Sequence, residues 1–450
     1  MLYGRERELL ELESRYGSGR FDFLSIYGRK RVGKTALVRE FLKGHEGVFF
    51  TARNMGSNVD ALASAVFGSG VSAPMESILE EIKRRSSSER YVLVIDEYPR
   101  IVRWDPVFRD HLRMFIDDIR GDSKLFLILC GSSIGIMENE MLGYGSHTGL
   151  MKLLPLDVWD SMRLLEGFSR EDALRIYGMV GGIPLYLNLF DPDFSLVENV
   201  LRLFIRKSSF FHNEHLVLFM EEVGGPFTHH GVLWAIASGN IRVGDIAEYC
   251  DMETSAVSKH LNMLISMDIV GKRRPVDNPG GKVTRYHIED PFLRFQFSRI
   301  LPVVDYIDQD DPYGDVEAIL GLFEEDMDRV FADICSEHLA RVHDGEIGTW
   351  WGMDRNTRTV EGIDVISTVI IGGKRSGWFA ECRYGDVPVD LDALNDLRYR
   401  MALVGGYQSV HPVIYSVSGF TEAVMKDGNV ELYTLDDILD PGGVGCDTDR

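Results

Sequence analysis

The stretch FDFLSIYGRKRVGKTALVREFL, Phe21 to Leu42, decides the fold. Phe21 to Tyr27 is apolar and rich in β-formers, and TALVREFL carries Ala36, Leu37 and Phe41 at a helical spread, so the segment reads strand, loop, helix. Between strand and helix, Gly28 to Thr35 (GRKRVGKT) satisfies G-x-x-x-x-G-K-[ST] in full. The order matters physically: glycines let backbone N–H groups converge on phosphate oxygens, and the helix that follows presents the positive end of its dipole. The expected ATP-binding set is therefore Gly28, Arg29, Lys30, Arg31, Val32, Gly33, Lys34 and Thr35, with Lys34 on the outer phosphates and the Thr35 hydroxyl offered to Mg2+.

Two further strands support that site. YVLVIDEYPR, Tyr91 to Arg100, ends its apolar run in Asp96 and Glu97, placing one carboxylate beside Mg2+ and a second beside the attacking water. Lys34, Asp96 and Glu97 are thus the catalytic candidates, and Thr35 with Asp96 the metal ligands. KLFLILCGSS delivers Ser132 and Ser133 to the same carboxyl edge, where open α/β sheets bind ligands; these serines suit a phosphate sensor and a helix cap about equally.

Composition sets the outer limits. A chain of 450 residues is too long for one core and divides into about three units. No run approaches the roughly 20 apolar residues that span a bilayer, and the opening MLYGRERELLELE is charged, so no membrane contact and a cytoplasmic location are expected. Five cysteines (Cys130, Cys250, Cys335, Cys382, Cys446) never fall as CxxC, which argues for reduced thiols rather than disulfides or zinc. A net charge of -22 repels DNA phosphates, so any nucleic-acid contact has to be local.

Such a local patch exists. RVGDIAEYCDM reads as a short amphipathic helix, and SAVSKHLNMLISM as a second with Thr254 as N-cap and a buried stripe of Val257, Leu261, Leu264 and Ile265. Ser255, Ser258, Lys259 and Asn262 are left facing outward as DNA-contact candidates. DIVGKRRPVDNPGGKVTRYHI then reads as a wing, adding Lys272, Arg273, Arg274, Lys282 and Arg285. From Thr254 to Glu289, six basic residues face three acidic ones, a positive island in an acidic chain. The alternative is a rigid coupler or protein-docking module.

Beyond an acidic stretch, MDRVFADICSEHLARV is expected to be a helix, EIGTWWG, VEGIDVISTVII and SGWFAECRYG strands, and LDALNDLRYRMAL a helix. Here Glu337, Asp364, Glu381 and Arg383 form a second candidate site. A turn centred on Gly372-Gly373 puts Asp364 opposite Glu381, where two carboxylates can hold a divalent metal at about 2.0 to 2.6 Å. A wider loop through Lys374 to Ser376 sends them to opposite faces.

The motifs YGRERELLELE, GRKRVGKT, VLVIDEYPR, LFLILCGSS and GGIPLYLNLF resemble the archaeal ATPase family, a branch of the AAA+-type P-loop proteins. The resemblance implies that Tyr3, Gly4, Arg5 and Glu6 lie near the adenine and that Gly181, Gly182 and Pro184 sit in a helical lid. Where that family carries a PLYGRRT-like stretch, this chain has GYGSHTGLMKLLPL, without an arginine to complete the site. The last part resembles the C-terminal domain of unknown function of archaeal ATPases, with a restriction-endonuclease-type core of signature (D/E)…D…ExK. Arg383 stands where lysine is expected, and arginine stays protonated and only positions charge.

The expected fold class is α/β: a P-loop NTPase parallel sheet (1–155) with a helical lid (156–215), a winged-helix domain (216–300), an acidic linker (301–318) and a nuclease-like C-terminal domain (319–450). The expected function is an ATP- and Mg2+-dependent switch coupled to a DNA-binding winged helix and an inactive nuclease-like domain. The alternatives are a signalling or chaperone-like ATPase with a protein partner, and an ATP-gated metal-dependent nuclease; oligomeric state stays open.

Overall fold

The computed structural model describes residues 2–54, 56–121, 123–144, 148–222, 227–278, 284–308 and 311–440. Strands β1 (Asp22–Tyr27), β2 (Gly47–Thr51), β3 (Tyr91–Asp96), β4 (Leu125–Gly131) and β5 (Thr148–Lys152) form a sheet in the order β2-β3-β4-β1-β5, every pair parallel. Strand alternation sorts its side chains between two cores. Val92 and Val94 enter one, and Tyr91, Leu93 and Ile95 the other, as expected for a parallel sheet covered on both faces. Because β4 lies between β1 and β3, the carboxyl ends that follow the three motif strands come out side by side.

Helices Val158–Leu164, Arg170–Val180, Pro184–Leu187 and Leu196–Val200 build the lid. Helices Phe227–Ala237, Val243–Tyr249 and Thr254–Ser266 then lead into an antiparallel wing, β6 (Val270–Arg273) and β7 (Arg285–Ile288). Val257, Leu261 and Leu264 are fully buried, as their spacing predicts. Thr254 is not the cap: it is the first helical residue, Glu253 takes the N-cap position, and no side chain caps this end.

Residues 301–318, expected to be a linker, carry a short 3-10 turn, Val304–Tyr306, and the start of helix Pro312–Glu324. Charge on its outer face hides an apolar inner stripe, since Val316, Ile319 and Phe323 are buried. The last sheet runs β8 (Glu346–Met353), β9 (Val360–Ile371), β10 (Lys374–Arg383), β11 (Ser409–Ser416) and β12 (Glu431–Thr434), ordered β12-β11-β10-β9-β8. β8, β9 and β10 are antiparallel neighbours, while β11 and β12 add in parallel. The β9–β10 connection is the tight one: Ile371 pairs with Lys374 around Gly372 and Gly373, whose φ angles of 57° and 78° suit a two-residue hairpin turn.

One apolar cluster links these parts, running from Leu24 and Ile26 through Phe204 of the lid segment and Leu261 of the winged helix to Ile334 and Tyr415. Among the described residues, no helix is long and apolar enough to cross a membrane.

Candidate functional site

The P-loop closes tightly between β1 and the helix Lys34–Leu42. Gly28, at φ 151°, lies so near the Leu153 carbonyl that a Cβ there would collide with it. Gly33 caps the helix at φ 106°, a left-handed conformation that favours glycine. Arg5 braces the loop from behind, its Nη2 donating to the carbonyls of Val32 (3.0 Å) and Leu154 (2.7 Å); the resemblance had placed it near the adenine. Lys34 is folded back, with Nζ donating to the carbonyls of Gly28 and Arg29 at 2.8 Å each.

Asp96 meets the loop from β3. Thr35 Oγ1 donates to its Oδ2 at 2.8 Å, and the Glu97 N–H donates to Oδ1 at 3.0 Å. Burial, reinforced by the Glu97 charge, pushes the Asp96 carboxyl pKa upward. A buried carboxylate converging with a hydroxyl is a hard-oxygen donor pair that fits Mg2+, and a divalent cation there would offset the cost of burying the charge. Arg31 and Glu97 both take positive φ (66° and 57°), non-glycine backbone strain concentrated at the site.

GYGSHTGLMKLLPL has no arginine, but two arginines stand beside Glu97 on another element. Lys30, Glu97, Arg100, Arg103 and Ser132 line one cavity of about 210 Å³. Arg100 Nε lies 3.5 Å from Glu97 Oε2, and its Nη1 donates to the Ala52 carbonyl at 3.1 Å. Both arginines ride on helix Pro99–Trp104, directly after Glu97, and their i, i+3 spacing in PRIVR was the available signal.

Other partners of the loop had no local signal at all. Arg29 pairs with Asp290, which also N-caps helix Pro291–Phe295 by accepting from the Leu293 N–H at 2.6 Å. Arg31 pairs with Glu214, which accepts from Tyr186 Oη at 2.7 Å, and its guanidinium stacks on Phe210 at 4.7 Å. Asp290 and Glu214 are each almost fully buried. The P-loop is thus tied by two ion pairs to the segments on either side of the winged helix.

The winged helix is seated at both ends. Met263 and Met267 share a cavity with Arg29, Arg103 and Ser133, and Lys152 pairs with Asp268 at 2.6 Å. Its wing docks on the C-terminal sheet: Val276 N–H donates to the Thr349 carbonyl (3.1 Å), and Trp350 Nε1 to Asp277 Oδ2 (2.9 Å). Of the DNA-contact candidates, Ser255, Lys259, Asn262, Lys272 and Arg274 are exposed. Ser258 is half-buried and donates to the Thr254 carbonyl at 2.8 Å, while Lys282 lies outside the described residues. Arg273 and Arg285 correct the expectation of an outward basic wing. Arg273 donates to Asp333 at 3.3 Å, and Arg285 stacks on Trp351 at 4.3 Å, so both are engaged with the C-terminal part.

The second candidate site is brought together only in part. The β9–β10 pairing runs as far as Val365 opposite Ala380; Asp364 and Glu381 are the next residues on the two strands, close enough for the Glu381 charge to act on Asp364. Asp364 keeps an exposed surface on the cavity it lines; crowding by the surrounding protein, then the Glu381 charge, raises its pKa to about 6. Both Glu381 oxygens are taken, Oε1 by Arg383 (2.6 Å) and Oε2 by Arg400 (2.7 Å). Glu337 does not join them. Its carboxylate accepts from the Val158 N–H (3.0 Å) and Tyr177 Oη (2.7 Å), because this face of helix Met327–His343 docks the lid. Among the described residues, no group of three or more His, Cys, Asp or Glu is placed to hold a metal ion.

Comparison with known proteins agrees with this geometry. Residues 50–190 match the model of an ATPase domain predominantly from Archaea, and residues 231–272 that of the bacterial regulatory protein arsR family. Both matches lie between the P-loop and the C-terminal sheet, so the P-loop rests on its own motif and shape. The uncharacterized protein MJECL04 of Methanocaldococcus jannaschii is 27% identical over 455 residues, covering 97% of this chain and 100% of the relative. The Walker-type ATPase PABY2304 of Pyrococcus abyssi shares the fold, with a TM-score of 0.52 at 18% identity over 66% of this chain and 96% of that one. The chain therefore carries a P-loop, a segment similar to an ATPase domain predominantly from Archaea on a fold shared with that Pyrococcus protein, and a winged-helix region similar to the arsR family.

Proposed function

We propose that ATP binding in this chain is a switch on its winged helix, and that the winged helix acts on DNA. The observation that carries this reading is the pair of buried contacts Arg29–Asp290 and Arg31–Glu214. A triphosphate entering the loop competes with both carboxylates for the same guanidinium groups, and it draws Lys34 away from the Gly28 and Arg29 carbonyls. Thr35 and Asp96 would hold Mg2+, whose charge offsets that of the phosphates and of the transition state. Glu97, held by Arg100, is the residue suited to orient the attacking water. When Asp290 and Glu214 lose their partners, the segments before and after the winged helix are free to move, and Ser255, Lys259 and Asn262 shift with them.

Replacing Asp290 with asparagine tests the switch, because asparagine keeps the helix cap and removes the charge. Leaving Arg29 buried without its counter-ion costs about 3–5 kcal/mol in the empty protein. The expected outcome is a lower melting temperature without nucleotide and, by calorimetry, ATP binding tighter by about tenfold. Unchanged or weaker ATP binding would count against the switch.

A second reading has one observation in its favour. With Arg273 and Arg285 turned to the C-terminal sheet, the winged helix also suits a rigid coupler whose partner is a protein. Gel retention of mixed-sequence DNA at low salt separates the two readings, since the coupler retains none.

A further inference from the structure

Strand β2 is the outer strand of the parallel sheet, with β3 on one side and, among the described residues, no strand on the other. The Glu46 carbonyl accepts from the Val92 N–H at 3.0 Å, and the Ala52 N–H donates to the Asp96 carbonyl at 2.8 Å, so the even-numbered residues bond to β3. Gly47, Phe49 and Thr51 therefore turn their N–H and C=O groups toward the open side. Along that edge runs an open cavity of about 450 Å³. Phe49 and Thr51 line it from the strand, Arg53 from just beyond the strand, and Arg39, Ala61 and Arg100 from three flanking helices.

The charge of this groove has one sign. Arg39, Arg53 and Arg100 line it and, among the described residues, no carboxylate does, in a chain of net charge -22. Arg39 and Arg53 are exposed, and the Arg39 guanidinium lies over the Phe49 ring at 4.2 Å, which holds it beside the strand edge. Arg100 comes from helix Pro99–Trp104 and donates to the Ala52 carbonyl at 3.1 Å. The same side chain lies 3.5 Å from Glu97 and lines the cavity that Glu97 shares with Lys30 of the P-loop. One arginine thus belongs to both places.

An extended acidic peptide answers both features of the groove: its backbone continues the ladder beyond β2, and its carboxylates pair with the guanidinium groups. A nucleic-acid backbone answers only the second. Charge of one sign along the edge also discourages two copies from pairing edge to edge. We propose that this groove docks an extended, acidic segment of a protein partner as an added strand, and that docking draws Arg100 away from Glu97. A carboxylate released from an ion pair is more basic, so docking speeds ATP turnover. The effect on turnover rests on Glu97 orienting the attacking water; docking itself does not.

The test titrates the full chain at low salt with a fluorophore-labelled oligoglutamate of about ten residues, long enough to cover the strand. Binding is expected in the parent, and about tenfold weaker in Arg39→Glu and in Arg53→Glu, both at exposed positions. A peptide of alternating L- and D-glutamate keeps the charge, cannot form a regular pleated strand, and is expected to bind more weakly. With saturating oligoglutamate, ATP turnover by the parent is expected to rise at least about fivefold. Equal affinity in the parent and both variants, or for both peptides, would overturn the docking. Binding that leaves turnover unchanged would overturn the release of Glu97, whereas a parent that binds peptide and hydrolyses no ATP would support docking and count against the nucleotide reading. Retention of a short duplex, lost in both variants with no peptide bound, would assign the groove to DNA and overturn the protein partner.

Discussion

Asp96 and Glu381 are both buried carboxylates at or near the end of a strand, yet their oxygens are spent differently. Asp96 accepts from a hydroxyl and a backbone N–H, neutral donors, with the Lys34 charge acting on it only through space, so its oxygens stay available to a cation. Glu381 accepts from two guanidinium groups, so its charge is balanced within the chain. A carboxylate at a strand end is suited to metal chemistry only where the protein has left that charge open.

The largest expected effects probe that contrast directly. Lys34→Ala should lower phosphate release from ATP by about 10²-fold or more, since it removes the cation nearest the outer phosphates. Arg383→Lys should produce no DNA cleavage with Mg2+ or Mn2+ on a supercoiled plasmid, because Arg400 still holds Glu381; nicking by this variant would erase the difference between the two sites.

A smaller effect concerns a third acid, Glu337, half-buried at the lid interface. Burial raises its pKa to about 7 against an ordinary 4.5, with Asp157 and Asp333 adding to the rise and the bonds from Tyr177 and Val158 opposing it. A carboxyl raised in the folded state favours folding when protonated, so this contribution is fully present below about pH 4.5 and is lost as pH climbs through 7. Glu337→Gln should therefore flatten the pH dependence of stability across that window and raise stability at pH 8 by about 1–2 kcal/mol, read from urea unfolding. A parallel pH profile for both proteins would show that the carboxylate is comfortably ionised at the lid interface.

The smallest effect sorts the basic residues. Lys259→Ala should weaken DNA retention and lower its salt slope by about one, whereas Arg285→Ala should cost about 0.5–1 kcal/mol of stability from its stack on Trp351 and leave retention unchanged. The reverse order would return the wing to DNA.

What the amino-acid sequence disclosed follows the same division. Gly28 to Thr35 could be read because one contiguous loop carries both its geometry and its chemistry, and Asp96 because it ends an apolar strand. The Gly372-Gly373 turn likewise fixed the β9–β10 register. Glu337 failed because its helix offers more than one face, and the choice between Asp364 and Tyr177 depends on a lid far away in the chain. Asp290 and Glu214 were invisible for that reason too: each reads locally as an ordinary helix start, and only the tertiary fold sets them against Arg29 and Arg31.

The apolar cluster that runs unbroken from β1 to β11 restricts how any nucleotide-driven motion can proceed. Close-packed seams slip by small steps from one interdigitation to another and resist being pulled apart, because opening them wets the whole seam. Displacement at the P-loop should thus travel as a modest tilt of neighbouring segments. Excised fragments would expose this greasy seam and make poor stand-ins for the intact chain.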